Sequence, residues 1–140
     1  MIRQFLAPYT RSSKINWSSL MIRVGFGVLM IPHGYGKFTK FSEYAPKFMS
    51  FLGLNGEISL GLAVFAELVC SILLVVGFST RAVLIPLMIT MITAAFVAHA
   101  GDPLDTREHS LMYLVGYIAI FIMGAGKYSL DNLMFRKTVF

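Results

Sequence analysis

Charge is what this sequence has least of. Of its 140 residues only 14% are Asp, Glu, Lys or Arg, against 56% hydrophobic, and the mean hydropathy is +0.71. A soluble domain of this size has a high surface-to-volume ratio and needs a polar skin. This chain lacks the charge to make one, so lipid is the expected solvent. Cysteine is equally scarce: Cys70 stands alone, which excludes an internal disulfide, a CxxC redox pair and a c-type haem attachment. The first 16 residues carry no apolar run and no small-residue cleavage site follows the first hydrophobic stretch, so no cleavable signal peptide is expected. There is no Gly-x-Ser-x-Gly elbow, no phosphate-cradling loop and no Cys-His arrangement with an orienting group, which leaves nucleophilic catalysis without support. Neutral imidazoles are good metal ligands, but no His-x-x-x-His or Glu-x-x-His spacing occurs, and no metal or haem is expected.

What the chain does have is four apolar runs, at about 17–36, 58–78, 82–100 and 108–125. Crossing a hydrocarbon core takes about 20 such residues in a helix. Gly77-Phe78-Ser79-Thr80-Arg81 and Gly101-Asp102-Pro103-Leu104-Asp105 read as turns, and Gly124-Ala125-Gly126-Lys127 as a helix stop. The expectation is one all-α domain over 1–140, an integral membrane four-helix bundle. Between the first two spans, residues 40–54 place Phe41, Tyr44, Phe48 and Phe51 at helical spacing among polar residues, the pattern of an interfacial helix that Pro46 restricts. If the spans alternate direction, seven basic residues and one acid fall on one face (Arg3, Arg11, Lys14, Arg81, Lys127, Arg136, Lys137; Asp131). Four basic residues (Lys37, Lys40, Lys47, Arg107) and five acids fall on the other. The positive-inside rule makes the first face, with both termini, cytoplasmic in a cell (inner or plasma) membrane. The formal charge of +5 is therefore a topology signal, and no nucleic acid is implied.

Two charges lie within spans. Arg23 is 11 residues before Gly34 and Glu67 nine after Ile58, roughly 16 and 14 Å below one surface at ~1.5 Å per residue. Opposite charges at one depth are expected to pair, because an unpaired Arg costs at least ~2.5–3.5 kcal/mol near the bilayer centre. His33 ends the first span, His99 ends the third and His109 opens the fourth, with Tyr113 and Tyr117 following at i+4. All three imidazoles arrive at the non-cytoplasmic face, although each alone would serve equally well as a helix-end cap. The expected site is a pocket open to that face, floored by Arg23 and Glu67, with His33, Lys37, His99, Glu108, His109 and Tyr113 around it. Aromatic walls with hydrogen-bonding groups at opposite ends suit a flat quinone-like head.

Several fragments carry a resemblance. Arg23 precedes His33-Gly34-x-x-Lys37-Phe38. Glu67 leads into Leu73-Leu74-x-x-Gly77-Phe78-Ser79-Thr80-Arg81. Glu108 opens the fourth span, and Gly124-x-Gly126-Lys127-Tyr128-Ser129-Leu130-Asp131 follows it. In this order, over roughly 17–131, the chain resembles the DoxX family of small four-helix membrane proteins. The resemblance implies a bacterial or archaeal membrane protein, often linked to redox systems. Relatives include a subunit of a thiosulfate:quinone oxidoreductase and membrane anchors of oxidative-stress complexes. Carried onto this chain, the family-like polar positions are Arg23, His33, Lys37, Glu67, Arg81 and Glu108. The reading is an integral membrane subunit of a redox complex that binds a quinone-like molecule, with soluble redox proteins as partners. Two alternatives stand: a non-catalytic anchor, and a small-solute carrier acting as a homo-oligomer. The Ser129-Leu130-Asp131 stretch reads as a structural turn, with Arg81 expected to pair with Asp131.

Overall fold

The first helix reverses the usual order of a folded protein: its inner stripe is polar or small and its outer faces are apolar. In the computed structural model, which describes residues 13–135, α1 spans Ser13–Thr39 and buries Asn16, Ser19, Arg23, Gly27, Met30 and Gly34. Met21, Val28, Leu29 and Phe38 are exposed on its outside. Lipid is as apolar as a leucine side chain, so helices in a bilayer associate through close backbone approach and polar contacts instead of burying leucines. A short helix α2 (Phe41–Tyr44) and a 3₁₀ turn (Ala45–Lys47) follow, then α3 (Gly56–Val76), α4 (Thr80–Ala98), α5 (Leu104–Met123) and α6 (Leu130–Phe135). The described residues contain helices and turns and no strand. α1, α3 and α4 are each long and apolar enough to cross a membrane. α5 has 20 residues, but Asp105, Arg107, Glu108 and His109 occupy its first turns.

The four long helices run alternately up and down. Gly34 of α1 lies against Glu67 and Leu68 of α3, while Gly27 lies against Ser71 and Val75, which makes that pair antiparallel. The bundle core is built on one face of α4 at i, i+1, i+4 and i+8 (Val83, Leu84, Leu87, Met91), with Leu74, Cys70, Tyr117, Ile120 and Met30 facing it. A Cβ placed on Gly34 would lie 2.5 Å from the Leu68 nitrogen and 2.6 Å from the Glu67 carbonyl carbon, atoms that cannot swing aside. Gly34→Ala is therefore expected to cost about 1–3 kcal/mol by overpacking. Gly36→Ala, two residues on and facing open space, should be tolerated. Thermal unfolding of the two variants in detergent checks the contrast.

Sequence and structure differ at the element ends. α1 is longer than 17–36 at both ends and runs through Pro32 without a break. α5 begins four residues before 108, immediately after Pro103. The interfacial helix expected over 40–54 exists only as α2 and the 3₁₀ turn. Pro46 lacks the N–H that a continuing helix needs, and residues 48–54 form turns in which Leu52 takes a φ of 49°. Arg3, Arg11, Arg136 and Lys137, on which much of the basic face rested, lie outside the described residues, as do both chain termini.

Candidate functional site

The expected Arg23–Glu67 pair does not form, and the two side chains belong to different ends of the bundle. Gly34 is level with Glu67, and Arg23 is 11 residues further down α1, about 16 Å away along the axis. Gly34 and Ile58 do not mark the ends of α1 and α3 at that face. In fact α1 extends five residues past Gly34 and α3 starts two residues before Ile58. The π-helical stretch Phe65–Cys70 then inserts a wider turn around Glu67.

Arg23 instead organises a knot at the basic end. Its Nη1 donates to the Leu74 and Val75 carbonyls at 2.9 and 2.6 Å, and its Nη2 to the Tyr128 carbonyl at 2.6 Å. The first two are among the orphan carbonyls at the C-terminus of α3, where the helix dipole favours a cation. α3 ends in a left-handed Gly77 (φ 73°), whose N–H bonds Leu74 while the Phe78 N–H bonds Leu73. A side chain at Gly77 would collide with the guanidinium. Asp131 caps α4, accepting from the Ser79 and Thr80 N–H groups at 2.6 and 2.8 Å, and its own N–H returns to the Gly77 carbonyl. The expected Arg81–Asp131 pair is thus replaced by a cap. Arg81 Nε donates to the Phe121 carbonyl. Ser19 Oγ donates to the Gly124 carbonyl, and Asn16 accepts from the Lys127 N–H. The three motifs that looked separate in sequence are one hydrogen-bonded assembly.

The opposite end holds a cavity of about 680 Å³. Met30 of α1 and Met91 of α4, both buried, form its floor. Lys37 Nζ meets Glu67 Oε2 at 2.5 Å on its wall, and the Glu67 side chain is 5% exposed against 28% for Lys37. The carboxylate is therefore held in the protein and the ammonium reaches toward the opening. His33, His99, His109 and Tyr113 also line the space, with the His33 and Tyr113 rings edge to face at 6.0 Å. His99 Nδ1 is 2.7 Å from Asp102 Oδ2, which orients that imidazole. Phe48, Met49 and Phe51 close the top. This roof is fastened by Ser59, whose Oγ accepts from the Phe51 N–H and donates to the Asn55 carbonyl, and Asn55 in turn caps α3. A second π-helical stretch, Ala94–Ala98, precedes His99, and Arg107 Nε donates into it at the Ala95 carbonyl. The first widened turn thus contains the cavity residue Glu67, and the second ends at the cavity residue His99.

Of the eight residues expected at the site, six line the cavity: His33, Lys37, Glu67, His99, His109 and Tyr113. Arg23 belongs to the knot. Glu108 is exposed on α5 and does not line the cavity, because the side of that helix facing in carries 109, 110 and 113. Lys47, Ser59 and the roof aromatics were not foreseen as site residues. The 3₁₀ turn and the turns after it bring Lys47 and the aromatics over the opening, while Ser59 reaches it from the first turn of α3. Among the described residues no group of His, Cys, Asp and Glu is arranged to hold a metal ion.

Apolar helices of spanning length, a polar inner stripe and a polar cavity at one end define a small integral membrane helical bundle. The DoxX family model matches residues 18–100, more than half of the chain, and the chain belongs to that family. The match covers α1 to α4; α5 and the Gly124–Asp131 signature lie beyond it. The chain is also similar to an uncharacterized protein of Haemophilus influenzae, 31% identical over 126 residues, covering 83% of this chain and 90% of the other. No solved structure matches.

Proposed function

We propose that the protein is a membrane subunit of a redox complex and that its cavity takes a quinone-like molecule. The observation that carries this reading is the Lys37–Glu67 pair set into the wall of an otherwise largely apolar cavity, with imidazoles on other sides. A quinone head is flat, apolar across its ring and a hydrogen-bond acceptor at two opposed carbonyls. Lys37, His33 and His109 are donors for such oxygens, and Tyr113 and the Met30–Met91 floor suit the ring. Reduction of a quinone takes up two protons with two electrons. Glu67 and the imidazoles are groups that can hold and pass those protons, while the electrons would come from a redox partner of the complex. The quinone-linked relatives implied by the resemblance support the same reading. Counted over the full sequence, seven basic residues fall with the knot-end helix termini against Lys37, Lys40, Lys47 and Arg107 at the other, which favours the knot end as cytoplasmic, so the cavity would open toward the outer side of a plasma or inner membrane.

A decyl-tailed benzoquinone is expected to stabilise the purified protein saturably. At about 100 times its Kd the gain is about 2.7 kcal/mol, read as a rise in Tm. The roof offers a check on the location. Ser59→Ala removes the fastening of Phe51 without touching the Lys37–Glu67 pair, and should weaken binding by about threefold to tenfold with the fold intact. A concentration-independent Tm would leave the anchor as the better account.

A further inference from the structure

Lipid-facing residues normally have no business inside a cavity, and three of them are there. The outward stripe of α3 runs Ile58, Leu62, Phe65, Val69, Ile72 and Val76, all exposed; that of α4 includes Ile85, Ile89 and Ile92. Leu62 (47% exposed), Phe65 (49%) and Ile89 (45%) belong to these stripes and also line the cavity. Ile72 and Ile85, on the same stripes nearer the knot and similarly exposed, do not. The helix packing gives the reason. α4 packs closely on the π-helical and lower parts of α3, whereas the upper part of α3, Gly56–Val64, leans on α1 and the 3₁₀ turn. α3 and α4 therefore splay apart toward the cavity end. The α4 edge of the gap is kept apolar: Thr90 and Thr93 fold their hydroxyls back to the Pro86 and Ile89 carbonyls, each at 2.8 Å, and so present methyl groups.

We propose that this gap is a lateral window, and that the ligand is an amphiphile with one polar head, entering from the bilayer and leaving its apolar chain between α3 and α4. The head would be held by the Lys37–Glu67 pair. A water-soluble solute would have no use for a side opening edged by Leu62, Phe65 and Ile89. A chain in the gap buries apolar surface on both helices, and its polar end meets the half-buried Lys37–Glu67 ion pair. The identity of the head rests on the quinone reading; the window does not.

Leu62→Trp/Ile89→Trp fills the gap from the lipid side, and Ile72→Trp/Ile85→Trp is the control on the same stripes. In nanodiscs, the first pair is expected to weaken a decyl-tailed benzoquinone by about tenfold or more, and to leave the tailless dimethyl compound within about twofold. The control pair should change neither. A cysteine probe is independent of any quinone: Ala94→Cys in a Cys70→Ser background places a thiol on the cavity wall. N-dodecylmaleimide, dissolved in the bilayer, should label it about tenfold more slowly when the window is filled. Unchanged labelling and unchanged decyl-benzoquinone affinity in Leu62→Trp/Ile89→Trp would overturn the window. Equal weakening of both quinones would mean that Leu62 and Ile89 only touch the head. If neither quinone binds the wild type, the quinone reading falls, and the labelling rates alone decide the window.

Discussion

Replacing Arg23 by methionine is expected to lower Tm by roughly 10–20 °C, the largest stability effect of any single substitution here. The guanidinium satisfies three carbonyls contributed by two segments, 74–75 and 128, and it lies in the same knot as the buried Asp131. Charge-assisted hydrogen bonds contribute about 1.5–3 kcal/mol each, and part of that is offset by no longer desolvating the cation. A net loss of about 3–5 kcal/mol remains, the usual result of removing one charge from a buried arrangement, and at this chain length that converts to the stated shift. Arg23→Lys should recover less than half, since a lysine cannot fork across carbonyls of two segments. Both variants are expected to keep the affinity of the wild type for the decyl-tailed benzoquinone wherever they remain folded, because Arg23 lies about 16 Å from Glu67 along the bundle. Loss of binding with unchanged Tm in Arg23→Lys is the result that would return Arg23 to the cavity.

The second large effect separates stability from binding at the cavity. Lys37→Met strands the Glu67 carboxylate, whose side chain is 5% exposed, and is expected to cost about 2–3 kcal/mol, less than a fully buried pair because Lys37 is 28% exposed. Glu67→Leu alone should cost less, since the freed ammonium can reach toward the opening. The double variant Lys37→Met/Glu67→Leu should return to within about 1 kcal/mol of the wild type, as apolar replacement of a buried ion pair commonly does. Its affinity for the decyl-tailed benzoquinone should nevertheless fall about 30-fold or more, through loss of about 2 kcal/mol of charge-assisted contact. A double-mutant cycle in Tm, run beside the binding titration, reads both quantities. If the double variant binds like the wild type, the pair serves only to set the register of α1 on α3.

Much of the bundle was legible in the residues. The four apolar runs became the four long helices because hydropathy and length suffice to tell a span from a loop, whatever it packs against. The convergence of His33, His99 and His109 at one end follows from alternation of direction alone. The interfacial segment was less legible: its helical spacing was genuine, but Pro46 stops the helix and the rest of the segment turns over the opening as a roof.

Partner choice was not legible at all. Arg23 and Glu67 looked complementary in sign and depth, yet a few residues of extra helix and one π-helical turn moved them to opposite ends, where a set of carbonyls and a lysine serve them better. The linear sequence determined which residues must lie in lipid and which cannot lie there unpartnered. Only the tertiary structure decided who the partners are, because a backbone carbonyl is invisible in a one-letter code and helix register depends on contacts such as Gly34 on Glu67 that couple distant parts of the chain.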